Sequence, residues 1–120
     1  MKYLALIYAA PNAGPVPGTP EHGQMMMDYK TMTEAFAAKG VMVASEALSG
    51  AETASSIRVR DGKAQTMDGP FAETKEHLGG FYLFECKDLD QAIGYASQIP
   101  TAKYGTIEVR PIFDWQKAMA

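Results

Sequence analysis

Two segments of this chain are apolar on both sides of an extended strand, and nothing else in the sequence narrows the fold as much. Residues 2–9 put Tyr3, Ala5 and Ile7 on one side and Leu4, Leu6 and Tyr8 on the other. Residues 79–86 open with Gly79-Gly80 and run Phe81-Tyr82-Leu83-Phe84, apolar on both sides until Glu85. Side chains alternate along a strand, so strands of this kind must be covered on both faces. The opening residues also have the form of a short signal sequence, one lysine ahead of an apolar run. The Pro/Gly-rich stretch behind them is a poor cleavage site, and a buried strand is the expectation.

The other elements fall between and after these two strands. Residues 10–20 hold Pro11, Pro15, Pro17 and Pro20 with Gly14 and Gly18, which reads as a loop. A helix over 21–39 follows, with Met25 or Met26, Tyr29, Met32 or Thr33, and Phe36 on one stripe, and Gly40 as its stop. Met25-Met26-Met27 reads as core or interface packing rather than as a soft-metal site. Val41–Leu48 reads as a strand. Residues 56–60 and 63–67 flank Asp61-Gly62, a hairpin turn in which both central residues need positive φ. One side of that hairpin is polar (Arg58, Arg60, Lys63, Gln65), so it reads as an appendage with a solvated face. Asp68-Gly69-Pro70 is a turn. Asp88 and Gln91 resemble a capping box opening a helix over 89–98, with Leu89, Ala92, Ile93, Ala96 and Ile99 on its stripe. A last strand over 106–113 turns Ile107, Val109 and Phe113 one way and Thr106, Glu108, Arg110 and Ile112 the other.

Without the hairpin the order is β-α-β-β-α-β, an α+β arrangement of the ferredoxin-like type within one domain spanning 1–120. Both helices of that fold cover the same sheet face. The doubly apolar strands then call for a second cover, and a second copy of the chain related by a two-fold axis is the simplest. The expectation is a homodimer, two sheets face to face.

Charge limits the partners. Eleven Lys and Arg against fourteen Asp and Glu give a net charge of −3, and the three arginines are Arg58, Arg60 and Arg110. Without a basic run, nucleic acid is not an expected partner. No stretch approaches the ~18 apolar residues of a membrane span. The single cysteine, Cys86, cannot form an internal disulfide and lies in an apolar strand, which suits a buried thiol in a cytoplasmic protein. No phosphate loop, dinucleotide fingerprint or metal-ligand spacing is present, so no cofactor and no metal is expected.

The segment Asp68-Gly69-Pro70-Phe71-Ala72-Glu73-Thr74-Lys75-Glu76, followed by Gly79-Gly80-Phe81, resembles the signature of the DGPF or YCII-related family. Glu108-Val109-Arg110-Pro111 is similar to that family's last strand, and Met1-Lys2-Tyr3 with Ile7-Tyr8 to its first. The likeness runs over roughly 1–114. It implies a bacterial dimeric α+β barrel of ferredoxin-like subunits. Many family members are encoded beside extracytoplasmic-function sigma factors, and most are uncharacterised. The wider barrel group includes small-molecule isomerases, monooxygenases and lyases. The YCII branch has a proposed catalytic histidine on the first helix, eleven residues before its terminal glycine. Counted from Gly40, that position is Tyr29 here, so a base poised at neutral pH is not carried over.

The site candidates follow from both readings. Asp68, His77 and Tyr29 are the candidates for acid–base work; Asp68 also reads as an Asx-turn or cap, and His77 and His22 as surface histidines. Tyr8 and Tyr29 are candidates to line a pocket with their hydroxyls, or to pack in the core. Glu73, Lys75 and Glu76 read equally as a solvated stretch or as groups reaching the barrel, with Glu76 or Lys75 pairing Arg110. Glu108 and Arg110 share one strand face and would meet the second sheet. Arg110 then suits a small anionic molecule, or the two form an ion pair across the dimer. Three functions stay open: a small-molecule-binding barrel with lyase- or isomerase-type activity, a non-catalytic regulatory or interaction protein associated with a sigma factor, and a purely structural dimer module.

Overall fold

The computed structural model describes all 120 residues. Six strands and three helices follow in the order β1 (Lys2–Ala9), α1 (Pro20–Lys39), β2 (Met42–Ala47), β3 (Ser55–Arg60), β4 (Lys63–Asp68), β5 (His77–Glu85), α2 (Leu89–Ala96), β6 (Thr106–Pro111) and α3 (Trp115–Met119). Short 3-10 turns lie at Ala51–Thr53 and Pro100–Lys103. Four strands form one antiparallel sheet in the order β2-β5-β1-β6. Helices α1 and α2 thus each join two parallel strands with a third slotted between them, which is the split βαβ of the ferredoxin-like fold. The chain is α+β, and β3 and β4 form a separate two-stranded sheet.

Local chemistry sets the helix ends. Pro20 occupies the first turn of α1, where its missing N–H costs nothing. The Thr19 hydroxyl accepts from the His22 N–H at 3.3 Å. Gly40 closes the helix at φ 72°, a left-handed conformation suited to glycine. At α2 the Asp88 carboxylate accepts from the Gln91 N–H at 2.9 Å. The Gln91 side chain answers to the Lys87 N–H at 2.7 Å, one residue short of the reciprocal bond of a capping box.

Both helices pack on one face of the sheet. Tyr3, Ala5 and Ile7 of β1 and Tyr82 and Phe84 of β5 meet Met32 and Phe36 of α1, Ala92 and Ala96 of α2, and Ile99. Phe36 is the hub: its ring stands edge-on to Phe84 at 5.2 Å, Tyr95 at 5.5 Å and Tyr82 at 6.1 Å between centroids. Cys86 is buried at the border of this core, and burial pushes its thiol pKa up. The opposite face has no helix. There Leu4 pairs with Leu83 and Leu6 with Phe81, while β6 sets Arg110 beside Leu4, Glu108 beside Leu6 and Thr106 beside Tyr8.

Several boundaries differ from those the sequence suggests. β5 begins at His77, two residues earlier than the sequence suggests, so Gly79-Gly80 lies inside the strand rather than at its start. A Cβ on Gly80 would stand 2.7 Å from the Glu46 carbonyl oxygen, so the pair marks the close approach of β2. α2 ends at Ala96, and Leu89 and Ile93 face outward while Tyr95 packs on the core. β6 stops at Pro111, which leaves Phe113 exposed and stacked edge-on against Trp115 at the start of α3. α3 has no counterpart in the expected elements.

The hairpin turns as its sequence requires, with Asp61 at φ 52° and Gly62 at φ 76°. At its base Gly69 N–H donates to Ala54 O and Ser56 donates to Gly69 O, which closes the hairpin on itself. The molecule measures 48 × 46 × 19 Å with a radius of gyration of 16.7 Å. A compact chain of this length would have a radius of roughly 13.6 Å. Its accessible surface is 8643 Å², against about 6,300 Å² for a compact monomer of its mass.

Candidate functional site

A cleft of about 460 Å³ opens between α1 and the sheet, where the end of β1, the start of β5 and the end of β2 come together. Its walls are mainly apolar, with Ile7, Ala9, Met26 and Ala47 among them, and Gly79-Gly80 contributes bare backbone. Two tyrosines from different elements supply the polar edge. Tyr29 reaches in from α1, where its hydroxyl bonds the Thr101 hydroxyl at 2.5 Å on the 3-10 turn before β6. Tyr82 reaches in from β5, with its hydroxyl 2.7 Å from that of Thr33. An apolar pocket with a few fixed polar groups is the usual form of a small-molecule site.

Burial raises the Tyr82 pKa above the ordinary 10.0; the Thr33 hydrogen bond pulls it back in part, and Tyr29 adds to the rise. Tyr82 is therefore a neutral phenol at neutral pH, able to donate a hydrogen bond and not to act as a base. The cleft brings no histidine to its walls, and its one charged lining residue is Glu46. What it offers chemically is two tyrosines, each with its hydroxyl anchored on a threonine, at the edge of an open, largely apolar cleft.

The site candidates from the sequence are dispersed. Tyr29 lies in this cleft. Tyr8 points to the open sheet face, beside Thr106. Glu76 accepts from the Thr106 hydroxyl at 2.8 Å, and no ion pair joins it or Lys75 to Arg110. Glu108 and Arg110 are exposed on that open face and pair with no charge in the chain. His77 lines a separate recess of about 480 Å³ with Pro11, Leu48, Glu52 and Pro70. Asp68 ends the exposed hairpin opposite Ser55 and lines neither space. Tyr82 and Thr101 were absent from the sequence candidates. Tyr82 had a signal, a tyrosine in a doubly apolar strand on the helix side; Thr101 had none.

No group of three or more His, Cys, Asp or Glu side chains stands close enough to hold a metal ion. No helix is long and apolar enough to cross a membrane.

Fold and cleft define a ferredoxin-like α+β protein with a tyrosine-edged pocket under its first helix. Within that class the YCII-related domain model matches residues 1–116, and the chain belongs to that family. It is 33% identical over 114 residues to an uncharacterized protein of Rhizobium meliloti (strain 1021), an alignment covering 93% of this chain and 92% of that one. Among solved structures it is similar to the 5-chloro-2-hydroxyhydroquinone dehydrochlorinase TftG of Burkholderia phenoliruptrix AC1100, in complex with 2,5-dihydroxybenzoquinone. That match has a TM-score of 0.52 and 14% identity and covers 98% of each chain, a likeness of fold.

Proposed function

We propose that the protein is a homodimeric α+β barrel that binds a small, largely apolar molecule with oxygen substituents in the cleft beneath α1. The observation that carries the reading is the pairing of Tyr29 and Tyr82 on the edge of an otherwise apolar space of about 460 Å³. A planar ring fits between such walls, and its hydroxyl or carbonyl oxygens would take up the two phenols. A solved structure of the same fold is in complex with a dihydroxybenzoquinone, which supports that ligand class. With a neutral Tyr82 as donor, the chemistry within reach is polarisation or protonation of a carbonyl or enolate oxygen, as in a lyase or isomerase. A small anion is a poorer fit to this cleft, whose charged residue is Glu46, and Arg110 belongs to the other face.

The dimer rests on the open face. Leu4, Leu6, Phe81 and Leu83 form an apolar patch without a helix over it, and the chain exposes roughly 2,300 Å² more than a compact monomer would. That excess is of the order that each partner contributes to an obligate homodimer. The sigma-factor reading gains no support from the cleft or the relatives.

The test is calorimetric titration with 2,5-dihydroxybenzoquinone as the probe. We expect binding by the wild type and a loss of about tenfold in affinity in each of Tyr29→Phe and Tyr82→Phe, the worth of one hydrogen bond. Equal binding by wild type and both variants, or no binding by the wild type at millimolar probe, would overturn the assignment.

A further inference from the structure

The β3–β4 hairpin is the part of the molecule that its own chain explains least. Its register puts Ile57, Val59, Ala64 and Thr66 on one side and Arg58, Arg60, Lys63 and Gln65 on the other. Ile57 is 67% exposed and Val59 61%. No hydrogen bond or ion pair ties the hairpin to the four-stranded sheet; the bonds at its base close the arm on itself. A lone two-stranded hairpin is marginal in water. An exposed apolar face on such an arm requires a partner for the arm to hold the shape it has.

We infer that the hairpin is a dimerisation arm whose apolar face docks on a second copy of this chain. The inference rests on the dimer proposed above and adds to it a second, separate area of contact. Two observations select a second copy. The first is charge. Residues 55–68 carry Arg58, Arg60 and Lys63 against Asp61 and Asp68, a net of +1, whereas the chain as a whole carries −3. A basic arm therefore belongs to an otherwise acidic body; its cations line the side away from Ile57 and Val59, and Glu108 stands exposed and without an ion pair on the open sheet face. Two copies offer each other both signs. The second is area. The excess surface of roughly 2,300 Å² is spread over a molecule only 19 Å thick, and the projecting arm contributes to it as well as the open sheet. A contact that used the sheet face alone would leave the arm bare. A two-fold axis satisfies both arms at once, each apolar face seated on the other subunit.

The experiment combines native mass spectrometry with amide hydrogen exchange on the full chain and on the variant Ile57→Ser/Val59→Ser. The substituted side chains are exposed within the chain, so circular dichroism of the variant should match the wild type. We expect a wild-type mass of two subunits, exchange across 55–68 slowed at least a hundredfold relative to an unstructured peptide, and both effects weakened in the variant, with a dimer dissociation constant at least tenfold higher. A dimer whose hairpin exchanges at the unstructured rate, with the variant dimerising as the wild type does, would overturn the arm and leave the sheet-to-sheet dimer standing. A monomer at every concentration would overturn both.

Discussion

Tyr82 is where one side chain serves the core and the cleft together. Its ring stacks beside Phe84 at 5.9 Å and edge-on to Phe36, while its hydroxyl bonds Thr33 of α1. The raised pKa makes this a statement about stability. The folded chain holds the Tyr82 proton more tightly than the unfolded chain does, so the unfolded chain releases it first as pH rises past about 10.0. Below that pH both states keep the proton and the stabilisation is whole. Above it stability falls until the folded group ionises. We expect urea midpoints of the wild type to decline above pH 10 more steeply than those of Tyr82→Phe; parallel curves would contradict the account. This residue also shows what the sequence could reveal of the site. Tyr29 was legible by its place on the helix, eleven residues before Gly40. Tyr8 and Tyr29 looked like neighbours because both lie near one end of the fold. Strand alternation separates them: Tyr8 follows Leu4 and Leu6 to the open face, while Ile7 lines the cleft. Thr101 was invisible, because its bond to Tyr29 spans 72 residues and depends on where the 3-10 turn lands.

At the scale of elements, the strands and the first helix follow from patterns that act locally. Double-sided apolarity marks β1 and β5, positive φ at Asp61-Gly62 makes the hairpin, and a proline and a glycine bracket α1. The errors lie where tertiary contact overrides a local signal. Gly79-Gly80 looks like the start of a strand, but β2 runs too close at Gly80 for a side chain there, and the strand already begins at His77. The α2 stripe looked like Leu89, Ala92, Ile93 and Ala96, but two alanines let the helix sit close to the sheet and Tyr95 fills the flank instead. A helix of eight residues is too short to hold itself together, so its cap matters more than in α1. The Asp88 carboxylate bonds an otherwise orphaned N–H there, and Asp88→Ala should cost about 1 kcal/mol of folding free energy. Chemical denaturation would show it as a lower midpoint with an unchanged slope. Asp88→Asn, which keeps an acceptor oxygen, should recover most of the loss.

For the whole molecule, the question is what an acidic, flat chain does with charges on an apolar sheet face. Glu108 and Arg110 sit two residues apart on β6, both on that face, with no intrachain ion pair. Burying either one alone against a second sheet would be costly. A two-fold axis running near β6 removes the difficulty, because it can set Glu108 of one protomer against the partner subunit's Arg110 and repeat the pair on the far side. Spacing on one strand thereby becomes complementarity between two. The arrangement can be tested by reversal. Glu108→Arg alone sets arginine against arginine in both pairs across the axis, and Arg110→Glu alone sets acid against acid. Each should raise the dimer dissociation constant at least tenfold, in line with the coupling of close interfacial charges. The double variant Glu108→Arg/Arg110→Glu restores opposite signs across the axis and should return the constant to near the wild-type value, with the difference shrinking as salt is added. Sedimentation over a dilution series would measure all four proteins. Singles that dimerise as well as the wild type would mean that the two side chains do not meet. Weak singles with no recovery in the double would mean that Arg110 is engaged by something other than Glu108, which would return it to the role of an anion-binding group on that face.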